Sequence, residues 1–176
     1  MDVFKAINGR RSIRAFTNKP VSDEDVKIIL EAARQAPSAG NLQPWEFIVI
    51  RNAEIKRRLA QAALDQTSIE EASVVIVVCA DKARSSPRYG SRGSNLYCIQ
   101  DTAAAIQNLH LAAYALGLGT CWVGAFNEAE ARKLLNTPLN VRPVAIIPVG
   151  YSAEKPKPRP RRPLTEIVHH EKFGRK

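Results

Sequence analysis

Residues 101–126 read DTAAAIQNLHLAAYALGLGTCWVGAF. Ala and Leu dominate the first half, and Asp101 is the only charge between Gln100 and Leu116. A helix that is apolar almost all round lies in a core or a subunit interface, so the pattern predicts a buried helix over 100–116. Gly117 and Gly119 end it. Thr120–Ala125 then reads as a short strand, and Asn127 as the cap of a helix over Glu128–Leu135. The pair Gly117 and Gly119 follows a helix rather than a strand, and the next glycine, Gly124, is misplaced for a dinucleotide turn, so a Rossmann reading fails.

Outward from this block the chain keeps alternating helical and strand patterns. Asp2–Asn8 reads as a short helix. Ser22 reads as an N-cap, with Asp23, Glu24 and Asp25 in the first turn where the helix dipole favours acids. Val26, Ile29, Leu30 and Ala33 recur at helical spacing, and Pro37 marks the stop. Trp45–Ile50 reads as a strand and Ala53–Leu64 as an amphipathic helix. Val74–Ala80 is a continuous β-branched run, the mark of a buried central strand. Val144–Val149 is another strand, and Pro143 and Pro148 place at least its ends near a sheet edge. Residues 155–163 hold four of the eleven prolines and read as stiff and extended. The apolar Leu164, Ile167, Val168 and Phe173 follow, so the tail is expected to dock somewhere. No repeat or long linker divides the 176 residues, which are expected to form one domain.

The formal charge is +9, a balance that invites a nucleic-acid reading. Its distribution argues otherwise. Residues 3–22 carry +5 and residues 155–176 carry +6, which leaves −2 for the rest. The surplus sits at the two ends of a near-neutral body. No apolar run approaches the ~20 residues that span a bilayer, and the start lacks a signal-peptide layout. Cys79, Cys98 and Cys121 are odd in number and far apart, so they read as reduced, buried thiols of a cytoplasmic protein. No metal-ligand set, nucleophile elbow or phosphate-binding loop of the Walker type is present. His110 reads as a core or interface residue. An enzyme with this sequence would draw its chemistry from a cofactor.

Three stretches carry candidate binding residues. Arg10-Arg11-Ser12-Ile13-Arg14 concentrates guanidiniums and a hydroxyl suited to a phosphate, although a basic turn is often merely solvated. Pro37-Ser38-Ala39-Gly40-Asn41 offers small residues and an Asn that can both donate to and accept from a heterocycle edge. The same residue types also serve a plain helix-to-strand loop. Val123-Gly124-Ala125 would expose backbone amides, or else simply pack between helix and strand.

Together, RRSIRAF (10–16), PSAGNLQPWEF (37–47), the 101–126 block and RRPLTEIVHHEKF (161–173) resemble the FMN-dependent nitroreductase family over essentially the whole chain. The resemblance implies an α+β fold with a central mixed sheet flanked by helices. It also implies an intertwined homodimer with FMN in clefts at the interface and a C-terminal tail reaching the partner. In that picture Arg10, Arg11, Ser12 and Arg14 hold the phosphate, the ribityl chain and one side of the ring. Gln66 meets the pyrimidine edge, and Pro37, Ser38, Ala39 and Asn41 come from the other subunit. Val123, Gly124 and Ala125 border the flavin N5 side, and Arg161 or Arg159 returns from the tail to the phosphate. The implied activity is ping-pong electron transfer from NAD(P)H to nitroaromatics, quinones or related small acceptors. Flavin reduction, dehalogenation and flavin fragmentation are the neighbouring chemistries. No side chain is expected to be catalytic, and neither nucleic acid nor membrane is an expected partner. Beside longer family members the chain is short and lacks a large inserted helical lid. Ser85–Asn95 stands where a mobile cover would be and reads as a plain flexible loop, the alternative being that Arg88, Tyr89 and Arg92 touch the substrate or the nicotinamide. Lys155, Lys157, Lys172, Arg175 and Lys176 take no role in this reading.

Overall fold

A computed structural model describes all of residues 1–176. The helices begin where side chains satisfy free amide groups. Asp2 accepts from Phe4 N–H and Lys5 N–H to start α1 (Val3–Gly9). Ser22 accepts from Asp25 N–H to start α2 (Asp23–Arg34), whose Val26, Ile29 and Ala33 face inward. Asn52 and Asn127 do the same for α3 (Ala53–Ala62) and α7 (Glu128–Leu135). Such caps contribute about 1 kcal/mol each.

Four strands form one sheet: β1 (Trp45–Ile50), β2 (Val74–Asp81), β3 (Gly119–Thr120) and β4 (Val141–Gly150), in the order β1-β2-β4-β3. All three strand pairs are antiparallel, with Trp45 opposite Ala80, Val74 opposite Val149 and Thr120 opposite Val149. The parallel component expected of a mixed sheet is a single bridge in this chain, Ser12 beside Thr120.

Successive side chains of a strand point to opposite faces, and here both faces are covered. Val74, Ile76 and Val78 pack with Ile147 and Val149 against α2 and against α6 (Cys98–Ala115), through Ile29, Ile106 and Leu109. Val75, Val77 and Cys79 pack with Ile146 against Leu59 of α3, Ile69 of α4 (Thr67–Glu71) and Ala131 of α7. This explains the unbroken apolar run of β2, each fully buried Val or Ile being worth roughly 1.5–3 kcal/mol.

Three expectations shift and a fourth holds in part. The strand read over Thr120–Ala125 pairs only at Gly119–Thr120 and through one further bridge, Val123 to Ile146. β4 is flanked on its second side only at Ile146 and Val149–Gly150, so its Pro143 end, paired with β2 alone, lies at an edge as expected, whereas its far end is covered by β3. β4 accommodates its prolines because the register slips between Val78 and Cys79, next to Pro143. Pro148 falls opposite the unpaired stretch between Thr120 and Val123, where no amide is required of it. α6 is buried along one side, from Cys98 through Ile106 to Ala113, whereas Gln100, Gln107 and Ala115 are exposed. Finally, Ser85–Asn95 is not a loop. It belongs to α5 (Lys82–Arg92), capped by Asp81 and kinked at Gly90, and to a π-helical turn, Gly93–Tyr97.

The arm 12–17 connects the two chain ends. Ile13 N–H donates to Thr120 O (2.9 Å), Thr17 N–H to Tyr151 O (2.8 Å) and Ala153 N–H to Ala15 O (2.9 Å). Only glycine permits this approach at two positions. A Cβ on Gly119 would stand 2.7 Å from Ile13, and one on Gly150 2.8 Å from Phe16. The last helix, α8 (Leu164–Ile167), and the residues after it rest largely exposed.

Candidate functional site

The arm brings both basic ends into one cleft of about 410 Å³, within the range of small-molecule sites. Arg10, Arg11, Ser12 and Arg14 line it from the N-terminal side, and Lys157, Arg159 and Arg161 from the tail. Arg161 and Arg159, the alternatives that the resemblance implied for the tail, both line the cleft, and Arg161 donates back to Arg159 O (3.2 Å). None of these six cations has a carboxylate within ion-pair distance. Arg11 is partly committed, donating to Asn8 O and Arg10 O (both 2.7 Å) at the carbonyl end of α1, where the helix dipole favours a cation. The others are free to meet an anion.

Ser12 is set from below. Its bridge to Thr120 is backed by His110 of α6, whose Nδ1 lies 2.7 Å from Thr120 Oγ1. His110 is buried, and that burial pushes its pKa down to about 4, with Arg10 adding to the shift. Cys121, next along the chain, is also buried, which pushes its thiol up. His110 is thus the core residue expected, and all three cysteines are buried and free.

A second group forms where Gln66 Nε2 donates to Ala63 O (2.8 Å) and Ala125 O (3.3 Å). Val123 is buried and exchanges both backbone hydrogen bonds with Ile146 (3.0 Å each), which holds the exposed Gly124 and Ala125 at the surface.

The third group stands apart within the chain. Pro37, Ser38, Ala39 and Asn41 form a tight loop in which Gly40, Asn41 and Gln43 all take left-handed backbone angles (φ +57°, +55° and +51°). Ser38 Oγ accepts from Gln43 N–H, and Asp101 Oδ1 accepts from Ala39 N–H (3.1 Å). Asp101 is buried at the start of α6, its Oδ2 has no partner, and burial pushes its carboxyl up. The α5 segment packs on this loop: Arg84 Nε donates to Leu42 O (3.0 Å), and Tyr89 and Arg88 lie over Gly40. Left-handed residues away from glycine are uncommon and gather at functional sites.

Sequence reasoning missed Glu154 and Lys157 in the cleft and Asp101 under the loop. Glu154 had one visible signal: it is the sole acid between Glu130 and Glu166, at the head of the basic tail.

An α+β chain with one cleft built from both of its basic ends narrows the class. The sequence profile described as the Nitroreductase family matches residues 7–73 and 64–151. A relative in Archaeoglobus fulgidus with the provisional name NADH dehydrogenase/NAD(P)H nitroreductase is 39% identical over 158 residues, covering 88% of this chain and 87% of that protein. The Bacillus subtilis FMN reductase [NAD(P)H] is 31% identical, over 98% of this chain and 74% of its own length. Among solved structures, nitroreductase A from Vibrio parahaemolyticus superposes with a TM-score of 0.90 at 29% identity, covering 98% of this chain and 77% of that one. The chain belongs to the nitroreductase family.

Proposed function

We propose that this protein is an FMN-dependent oxidoreductase that draws electrons from NAD(P)H and delivers them in a ping-pong cycle to nitroaromatics, quinones or related acceptors. Family membership supports the reaction class, and the names of relatives support the donor and the flavin. The observation that carries the reading is the cleft. A phosphate dianion calls for guanidinium forks and a hydroxyl. The cleft offers Arg10, Arg14, Arg159 and Arg161, none of them paired to a carboxylate, with Ser12 among them.

FMN, when bound, supplies the two-electron chemistry. The chain's own residues bind and orient it. Arg10, Arg11, Ser12 and Arg14 would hold the phosphate and the adjoining chain, with Arg159 and Arg161 closing from the tail. Gln66 would serve the ring edge, and Val123, Gly124 and Ala125 the side of N5. The loop bearing Pro37, Ser38, Ala39 and Asn41 would complete a partner's cleft, which accords with its separation from the basic cleft within one chain. A homodimer also gives cover to the exposed apolar residues of α1, such as Phe4, and of the tail, such as Phe173.

Steady-state turnover tests the reading. With NAD(P)H varied at several fixed acceptor concentrations, parallel double-reciprocal lines are expected with a nitroaromatic or a quinone. A second reading, flavin reduction for another protein, is favoured by the FMN reductase relative. It predicts that free FMN is the best acceptor in the same assay.

A further inference from the structure

Glu154 is the one carboxylate in a cleft lined by six cations. A carboxylate so placed would ordinarily be drawn to a guanidinium fork. Glu154 makes no ion pair. Its Oε1 instead accepts from the backbone N–H groups of Arg14 (2.5 Å) and Ala15 (3.2 Å).

The placement has a clear structural sense. Arm and tail root run as a short antiparallel ladder, with Thr17 bonded to Tyr151, Phe16 opposite Ser152 and Ala153 bonded to Ala15. Main-chain pairing ends there, because Pro156 follows and the tail turns toward the cleft. The Glu154 side chain adds one more rung, at the residue whose own side chain lines the cleft. Ser152 braces the turn, its Oγ donating to Glu154 O (2.6 Å) and accepting from Glu154 N–H (3.2 Å).

We infer that Glu154 is the positioning residue of the anion cleft: its carboxylate locks the Arg14–Ala15 backbone to the tail root and leaves the guanidiniums unpaired for a phosphate. This rests on the reading of the cleft as the FMN phosphate site. Glu154 touches no reacting atom; it acts through the arm.

The test uses the full-length protein stripped of flavin and titrated with FMN and with riboflavin, which has the same ring and lacks the phosphate. Wild type is expected to prefer FMN. Glu154→Ala is expected to weaken FMN about tenfold, as the arm loses both of its bonds to the Glu154 carboxylate and the phosphate loses one well-placed charged partner, with riboflavin unchanged within about twofold. Glu154→Gln keeps an acceptor in place and is expected to restore the preference. Equal loss of both ligands in Glu154→Ala, no loss of either, or a Gln variant as poor as the Ala variant would overturn the proposal. Arg10→Ala, run in parallel, separates the two claims. If it erases the FMN preference while Glu154→Ala does not, the phosphate reading stands and the role of Glu154 falls. If wild type shows no preference, both fall.

Discussion

Arg10 and Ser12 are the side chains on which the phosphate reading turns. Each is half-buried, and Arg10 takes part in no ion pair. A hydrogen bond to a charged group is worth about 1.5–3 kcal/mol, so Arg10→Ala and Ser12→Ala should each weaken FMN binding by about tenfold or more. The flavin-to-protein ratio after gel filtration reads this directly, and full flavin in both variants would remove the assignment. His110 makes a different prediction. It is held neutral under Thr120, with its pKa lowered from 6.5 to about 4. The unfolded chain therefore binds a proton that the folded chain refuses, and stability falls as the pH drops from about 6.5 toward 4. The window corresponds to about 3 kcal/mol. Denaturant midpoints of wild type and His110→Gln, compared across that range, should diverge on acidification, wild type losing more. Sequence showed the three arginines, Ser12 and the buried character of His110. It did not show Glu154 or Asp101 in their roles, because each acts on a backbone amide far along the chain, and nothing in the local pattern marks such a contact.

At the scale of elements, local signals were sound where one residue sets a boundary. Ser22 and Asn127 cap the helices they were read to cap, and α7 has the limits expected. They failed where tertiary contact decides. Ser85–Asn95 is dense in Ser, Gly and Pro87, a loop composition, yet the Asp81 cap, the kink at Gly90 and contact with the 38–42 loop fold it as helix. Arg88 and Tyr89 thereby cover Gly40. That glycine carries the element-scale prediction. A Cβ there would lie 2.6 Å from Tyr89 Oη, on a backbone with φ +57°. Gly40→Ala should cost about 1–2 kcal/mol and displace the helical cover. Chemical denaturation measures the first effect, and a changed KM for the acceptor the second. An unaltered midpoint and KM would mean that the loop is not held as described.

At the scale of the whole molecule, the charge surplus sits at the two ends of a near-neutral body. The family resemblance implied that arm and tail meet at one phosphate, and the arm between Thr120 and Tyr151 brings the two ends into one cleft. What one chain lacks was legible only by resemblance. Within the chain the 37–41 loop does not line the basic cleft, and the tail leaves Leu164 and Phe173 exposed. Sedimentation of the flavin-bound protein is accordingly expected to show a dimer, and a stable monomer retaining FMN would contradict a shared cleft. The central claim, that the cleft holds FMN and that NAD(P)H reduces it, is tested most directly by a visible spectrum taken without air. The account predicts a yellow protein, as purified or after addition of FMN, whose flavin absorbance bleaches on addition of NADH or NADPH. A colourless protein that takes up no FMN would contradict it.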